Sequence, residues 1–264
     1  MKQNRKLHWF TGSAVLIALL ALPCIPSRAV AANGPATPTA QSAQEALKAA
    51  GAKGAYLLCL FYKQEGGDVT ALSSRVAEFS GANGAAASWY KADVSIPANA
   101  QFAAQCRIPE QELPILLIFA PNGVITGGYQ KDVTTEQLQS AISLSSLMLK
   151  VMEPLQEQKI TIVCLQNAST QFNEESNAAV NQFASDPAYS QFVGVVKADP
   201  KSSGSAEFLQ QCNLKSDMTE AAVVFLVPPG KIVKTLTGKI SKKDLWGALS
   251  ACTAGSGCCP GGKR

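Results

Sequence analysis

Ala55–Phe61 reads AYLLCLF and Ile160–Leu165 reads ITIVCL. Both are continuous apolar runs, the pattern of a strand buried on both faces. Each leads through a polar loop into a helical pattern. Leu72, Val76 and Phe79 recur at i, i+4 and i+7 in the first half, and Phe172, Ala179, Val180 and Phe183 mark a comparable face in the second. Further along, Trp89–Asp93 and Val195–Asp199 read as strands ending in Lys-Ala-Asp. Short helices follow, Phe102–Cys106 and Phe208–Cys212. Each half then shows a strand, a tight turn and a second strand. These are Ile115–Phe119, Asn122-Gly123 and Val124–Thr126 in one half, and Ala222–Val227, Pro229-Gly230 and Lys231–Leu236 in the other. A last helix closes each half near Thr134–Ser143 and Ser241–Cys252, with Ser241 and Asp244 spaced as a capping box.

The repeat survives subtraction. Lys91 to Lys197 and Cys106 to Cys212 are 106 residues apart, Cys59 to Cys164 is 105, and Gly123 to Gly230 is 107. So steady an offset across separate elements implies two copies of one unit. The expected division is domain 1 over 42–145, domain 2 over 146–252 and a Cys/Gly-rich tail over 253–264. Leu144–Gln158 is expected to join the halves as a helix broken by Pro154.

Lys2, Arg5 and Lys6 precede an uninterrupted apolar run, Ala14–Leu22, and Ala29-Val30-Ala31 supplies small residues for cleavage. That order is the mark of a secretory signal over 1–31. The run falls short of the roughly 20 residues a membrane-spanning helix needs. Cys24 raises a lipid anchor, which Pro23 before it fits poorly. Residues 32–41 read as a flexible leader rich in Ala, Pro and Thr. The expected location is therefore periplasmic or extracellular, with no integral membrane segment after cleavage.

Removing Lys2, Arg5, Lys6 and Arg28 from the 23 basic residues leaves 19, equal to the 19 acidic ones. The basicity thus belongs to the signal, and no basic footprint remains for nucleic acid. The single histidine, His8, lies in the same stretch. Without it, the chain after residue 31 cannot assemble a Ser-His-Asp or Cys-His pair or a histidine-ligated metal site. No phosphate loop or nucleotide fingerprint occurs.

The order β-α-β-α-β-β-α with a proline before the hairpin resembles the thioredoxin family. Leu113-Pro114-Ile115 is similar to its cis-proline loop, and Phe119–Gly128 to its hairpin ending in glycine. The resemblance implies an α/β fold of two tandem thioredoxin-like domains, each a central mixed sheet flanked by helices. It also implies a site after the first strand of each domain, where a helix N-terminus would activate the first thiol of a C-x-x-C pair. Here those positions read Glu65-Gly66-Gly67-Asp68-Val69 and Thr170-Gln171-Phe172-Asn173-Glu174, without cysteine, and the second domain has Glu220-Ala221 in place of the proline loop. Ordinary thioredoxin chemistry is not expected at either. The resemblance suggests instead a peptide or exported protein as partner, binding at Gly66, Gly67, Asp68 and Pro114. The plainer alternative is a tight loop before a helix capped by Asp68.

Seven cysteines follow the signal. Cys59, Cys106, Cys164 and Cys212 sit at matching places in the repeat and are expected as buried small hydrophobes, or else as one disulfide per domain. Cys252, Cys258 and Cys259 gather toward the glycine-rich end. Three thiols there could be bridged, could exchange disulfides, or could hold a soft ion such as copper or zinc. Two functions therefore stand open: a non-catalytic exported binding protein, and a thiol-redox or soft-metal protein acting through Cys252, Cys258 and Cys259.

Overall fold

In the computed structural model, residues 41–254 are described, with side chains through 250; the export signal, nearly all of the leader, and Cys258 and Cys259 lie outside them. Domain 1 runs α1 (Ala43–Ala52), β1 (Tyr56–Tyr62), α2 (Gly67–Asn83), β2 (Ala87–Asp93), α3 (Pro97–Gln105), β3 (Ile115–Phe119), β4 (Ile125–Tyr129), α4 (Thr135–Ala141). Domain 2 repeats it as α5 (Ser146–Gln156), β5 (Ile160–Leu165), α6 (Asn173–Ala184), β6 (Val193–Ala198), α7 (Ala206–Gln211), β7 (Ala222–Val227), β8 (Lys231–Thr237), α8 (Lys242–Ala254). The sheets are ordered β2-β1-β3-β4 and β6-β5-β7-β8. Within each, the first pair is parallel and the other two are antiparallel.

The apolar runs are continuous because helices cover both faces of each sheet. In domain 1, α1 and α3 pack over Leu57, Cys59, Phe61, Leu117 and Phe119. On the other face, α2 and α4 pack over Leu58, Leu60, Leu116 and Ile118. Domain 2 repeats the layers, α5 and α7 over Val163, Leu165, Val224 and Leu226, and α6 and α8 over Ile162, Cys164, Val223 and Phe225.

The repeated Lys-Ala-Asp ending has a local cause. Asp93 Oδ1 accepts from Ser95 N and Asp199 Oδ1 from Lys201 N, both at 2.8 Å, so each acid turns the chain out of its strand toward the next helix. The hairpin glycines take positive φ, 86° at Gly123 and 135° at Gly230, as tight turns require. At Ser241 the expected capping box is present, with Ser241 N donating to Asp244 Oδ2 at 2.9 Å and Asp244 N to Ser241 Oγ at 3.3 Å.

Some expectations need correction. Pro154 does not break its helix: α5 continues through it to Gln156. Its ring lies against Gly194 of β6, where any Cβ would collide with it. Phe172 does not join the buried helical face. It precedes α6 at φ 63°, half-buried, while Ala179, Val180 and Phe183 are buried as expected.

Helix α5 also joins the domains. One side packs on its own sheet, while Met152 meets Ala120 and Val124 of the domain 1 hairpin. Gln156 extends that contact by acting as a strand partner: Ile125 N donates to its Oε1 at 3.0 Å and its Nε2 donates to Ile125 O at 2.6 Å. At Ile125 the open edge of β4 is met by a side-chain amide.

One residue in the β5 core is out of keeping with its surroundings. Thr161 is fully buried between Leu226 and Gly194, and its hydroxyl has no hydrogen-bond partner. An unmet buried hydroxyl costs stability. Thr161→Val keeps the shape and removes the polar atom, so urea denaturation should show a gain of about 1 kcal/mol.

Candidate functional site

The site expected in domain 1 is where three loops meet beyond the sheet. The β1–α2 loop carries Lys63, Glu65 and, one residue into α2, Asp68, and each is tied to a different neighbour. Lys63 Nζ bonds Glu110 Oε2 at 3.0 Å, Lys91 Nζ of β2 bonds Glu65 Oε1 at 2.5 Å, and Lys131 Nζ after β4 bonds Asp68 Oδ2 at 2.9 Å. Lys91 also lies 4.7 Å from the centre of the Tyr62 ring. Exposed pairs contribute little stability each, up to about 1 kcal/mol. Together they hold the loop from three sides and leave none of its charges unpaired.

Glu110 begins the segment that ends in Leu113-Pro114, whose peptide bond is cis, as the resemblance implied. Its ion pair to Lys63 ties the β1–α2 loop to the segment that leads into the proline. Leu113 and Pro114 are half-buried, and Gly66 and Gly67 are exposed. A Cβ at either glycine would meet nothing within 4 Å. Gly66 has φ −177°, extended backbone open to any residue. Neither packing nor conformation calls for glycine there; Thr70 N and Oγ1 take the Gly66 carbonyl at 3.0 Å, and what the pair provides is two exposed backbone N–H groups. Asp68 is not the cap of α2. Gly66 is, without a side-chain bond, and Asp68 lies in the first turn with Lys131 as partner.

Domain 2 treats the same place differently. Asn167, Ser169, Thr170 and Asn173 form a closed polar network: Thr170 Oγ1 reaches Asn173 Oδ1 at 2.7 Å, Asn173 Nδ2 donates to Asn167 O at 2.7 Å, and Asn167 Nδ2 donates to Asp199 Oδ1 at 2.8 Å. The bond from Asn167, with that from Lys201 N, holds the Asp199 carboxyl below its usual range. Past the network, Gln171 forms an isolated parallel bridge with Glu220. Gln171 N donates to Thr219 O at 2.8 Å, and Ala221 N donates to Gln171 O at 2.9 Å. Sequence reasoning missed this bridge, and the one available signal was Ala221, which has an N–H where domain 1 has Pro114.

The four described thiols carry no site. All are free and buried. The expectation that they occupy matching places holds only for Cys106 and Cys212. Strand pairing aligns Tyr56 with Ala87 and Ile160 with Val193, so Cys164 matches Leu60 rather than Cys59. A one-residue slip reverses the face of a strand residue. Cys59 therefore shares the α1/α3 face with Cys106, whereas Cys164 lies under α6/α8, across the sheet from Cys212. That excludes a Cys164–Cys212 disulfide.

Burial pushes Cys106 and Cys212 up to about 12 and Cys164 to about 11, and burial followed by the neighbouring Cys106 puts Cys59 well above the ordinary range. Thiolate is the reactive form. All four should resist iodoacetamide in the native protein at pH 8 and react fully in urea. A thiol pKa raised by folding contributes stability that is whole below about pH 9 and is lost as pH rises toward 12. The urea midpoint should therefore fall steadily over that interval.

Among the described residues no three His, Cys, Asp or Glu side chains gather as metal ligands. Cys252 falls in the last turns of α8 with its side chain undescribed, and Cys258 and Cys259 lie outside the described residues. No helix among those residues is long and apolar enough to cross a membrane.

No family model matches the chain, and no curated protein matches it. Similar solved structures include a thioredoxin from Fasciola hepatica, at 16% identity over 39% of this chain and 94% of that one, with a TM-score of 0.32. The first two thioredoxin domains of Saccharomyces cerevisiae Eps1p show 10% identity over 83% and 98%, with a TM-score of 0.29. The NTD_N/C domain of the alkylhydroperoxide reductase AhpF from Enterococcus faecalis shows 16% identity over 78% and 97%, also with a TM-score of 0.29. On its own strand order, layering and cis-proline loop, this chain is two tandem thioredoxin-like domains, neither of which holds a C-x-x-C pair.

Proposed function

We propose that the protein is an exported, non-catalytic binding protein that takes an extended segment of a peptide or exported protein in domain 1, between Gly66-Gly67 and Leu113-Pro114. The observation that carries this is the pinned, open loop. Three ion pairs hold it, one of them to Glu110 ahead of the proline. Although Thr70 N and Oγ1 take the Gly66 carbonyl at 3.0 Å, the exposed Gly66 and Gly67 N–H groups have open space around them. Exposed backbone at a fixed spacing is what an extended peptide can pair with. No thiol stands at the position where this fold performs disulfide exchange, so binding there is not followed by chemistry. Export is supported by the basic start, the apolar Ala14–Leu22 run and the Ala29-Val30-Ala31 site.

A suitable probe is carboxymethylated insulin B chain, an extended peptide with blocked thiols. Gly66→Leu adds a side chain into open space without disturbing the fold, and it should weaken binding in fluorescence anisotropy at least tenfold. Unchanged affinity in that variant would sink the proposal. Reduction of insulin disulfides, lost when Cys258 and Cys259 become serine, would place the function in the tail cysteines instead.

A further inference from the structure

We propose that domain 2 holds the same peptide groove, filled by its own Gln171, and that Ala221 against Pro114 decides which of the two domains stays open. This rests on the reading of domain 1 as a groove for an extended peptide.

The equivalence comes from strand register. Ile115 pairs with Phe61 in domain 1 and Ala222 with Leu165 in domain 2, so Pro114 matches Ala221 and Glu112 matches Thr219. Helices α2 and α6 begin at Gly67 and Asn173, so Glu65 matches Gln171 and Gly66 matches Phe172. Gln171 therefore does in domain 2 what an incoming peptide would do in domain 1. It runs parallel to 219–221, donating from its N–H and accepting at its C=O.

Domain 1 cannot copy this closure. Pro114 has no N–H, so one of the two hydrogen bonds is lost from the start. Among the described residues no backbone hydrogen bond joins Glu65 to 112–114. Glu65 is instead drawn outward to Lys91. The Glu112 carbonyl is met only by Gln130 Nε2 at 3.4 Å, a long bond that a ligand N–H can displace.

In domain 2 the strap is held at both ends. On one side the Asn167–Thr170–Asn173 network fixes the loop. On the other, Phe172 at φ 63° turns the chain from the bridge into α6, a left-handed conformation that non-glycine residues adopt only when their surroundings enforce it. In domain 1 the same position is Gly66, fully extended, and the chain passes the proline segment without pairing to it.

Amide hydrogen exchange on the full protein tests the strap directly. The Gln171 and Ala221 amides should exchange at least a hundredfold more slowly than that of Glu65, and equal rates would overturn the closure. Ala221→Pro removes one of the two bonds. It should speed exchange at Gln171 at least tenfold and let carboxymethylated insulin B chain shift domain 2 amides, which it leaves unmoved in the wild type. Should that variant not fold, Thr170→Ala with Asn173→Ala loosens the strap without touching β7, and the same two changes are expected. Binding at domain 1 in the wild type with no gain at domain 2 in a released, folded variant overturns this inference alone. Binding at neither domain overturns the ligand class together with the reading of domain 1.

Discussion

Asn99→Leu is expected to lower the unfolding free energy by about 2 kcal/mol. Asn99 is wholly buried in α3. Its Oδ1 accepts from Ala43 N at 2.9 Å, meeting a free donor at the start of α1, and its Nδ2 donates to Asp93 O at 3.0 Å at the end of β2. Leucine fills comparable volume but leaves the Ala43 N–H buried and unmet, a cost of about 1–3 kcal/mol, while Asp93 O keeps Ile96 N at 3.2 Å. Ser205, at the matching place in domain 2, makes only the strand-end contact, donating to Asp199 O at 2.7 Å. Ser205→Ala should therefore cost less, about 1 kcal/mol. Urea denaturation followed by circular dichroism measures both. Equal losses would mean that the bond to α1 contributes nothing.

Phe183→Ala is expected to cost about 4 kcal/mol, the range for deleting a buried aromatic ring. Phe183 is fully buried in α6 and lies at the centre of a four-ring cluster. Its ring centre is 5.5 Å from that of Trp246, 5.8 Å from Phe225 and 6.2 Å from Tyr189, with the first two edge-on. Truncation opens a cavity between α6, α8 and β7 and removes the edge contacts, each of which adds stability beyond area burial. The loss should appear in urea denaturation followed by tryptophan fluorescence, because Trp246 loses one of its two ring neighbours.

Most of the fold could be read from patterns with a direct physical cause. The apolar runs at β1, β3, β5 and β7 are continuous because both faces of each sheet are covered, and the turn at Gly123 needs positive φ. Helix α1 was not assigned, although Ser42 and Glu45 carry the Ser-x-x-Glu spacing of a helix start, and Ser42 Oγ does accept from Glu45 N at 3.3 Å. The face of Cys164 could not be read, because a one-residue difference in strand register is invisible in a run that is apolar throughout. Pro154 seemed a break and is a packing element, since its cost to the helix is set against contact with Gly194, 40 residues away in sequence. At the candidate site, Gly66, Gly67 and Pro114 were singled out through the resemblance to thioredoxin loops. The strap at Gln171 was not, because backbone-to-backbone bonds leave little trace in side-chain identity.

The central claim, that domain 1 alone presents an open groove for an extended peptide, is tested most directly by titrating the isotope-labelled protein with carboxymethylated insulin B chain and following backbone amides by NMR. The account predicts saturable shifts at Gly66, Gly67 and Leu113, with Gln171, Thr219 and Ala221 unmoved. Shifts confined to the second group, or none in either, would contradict it.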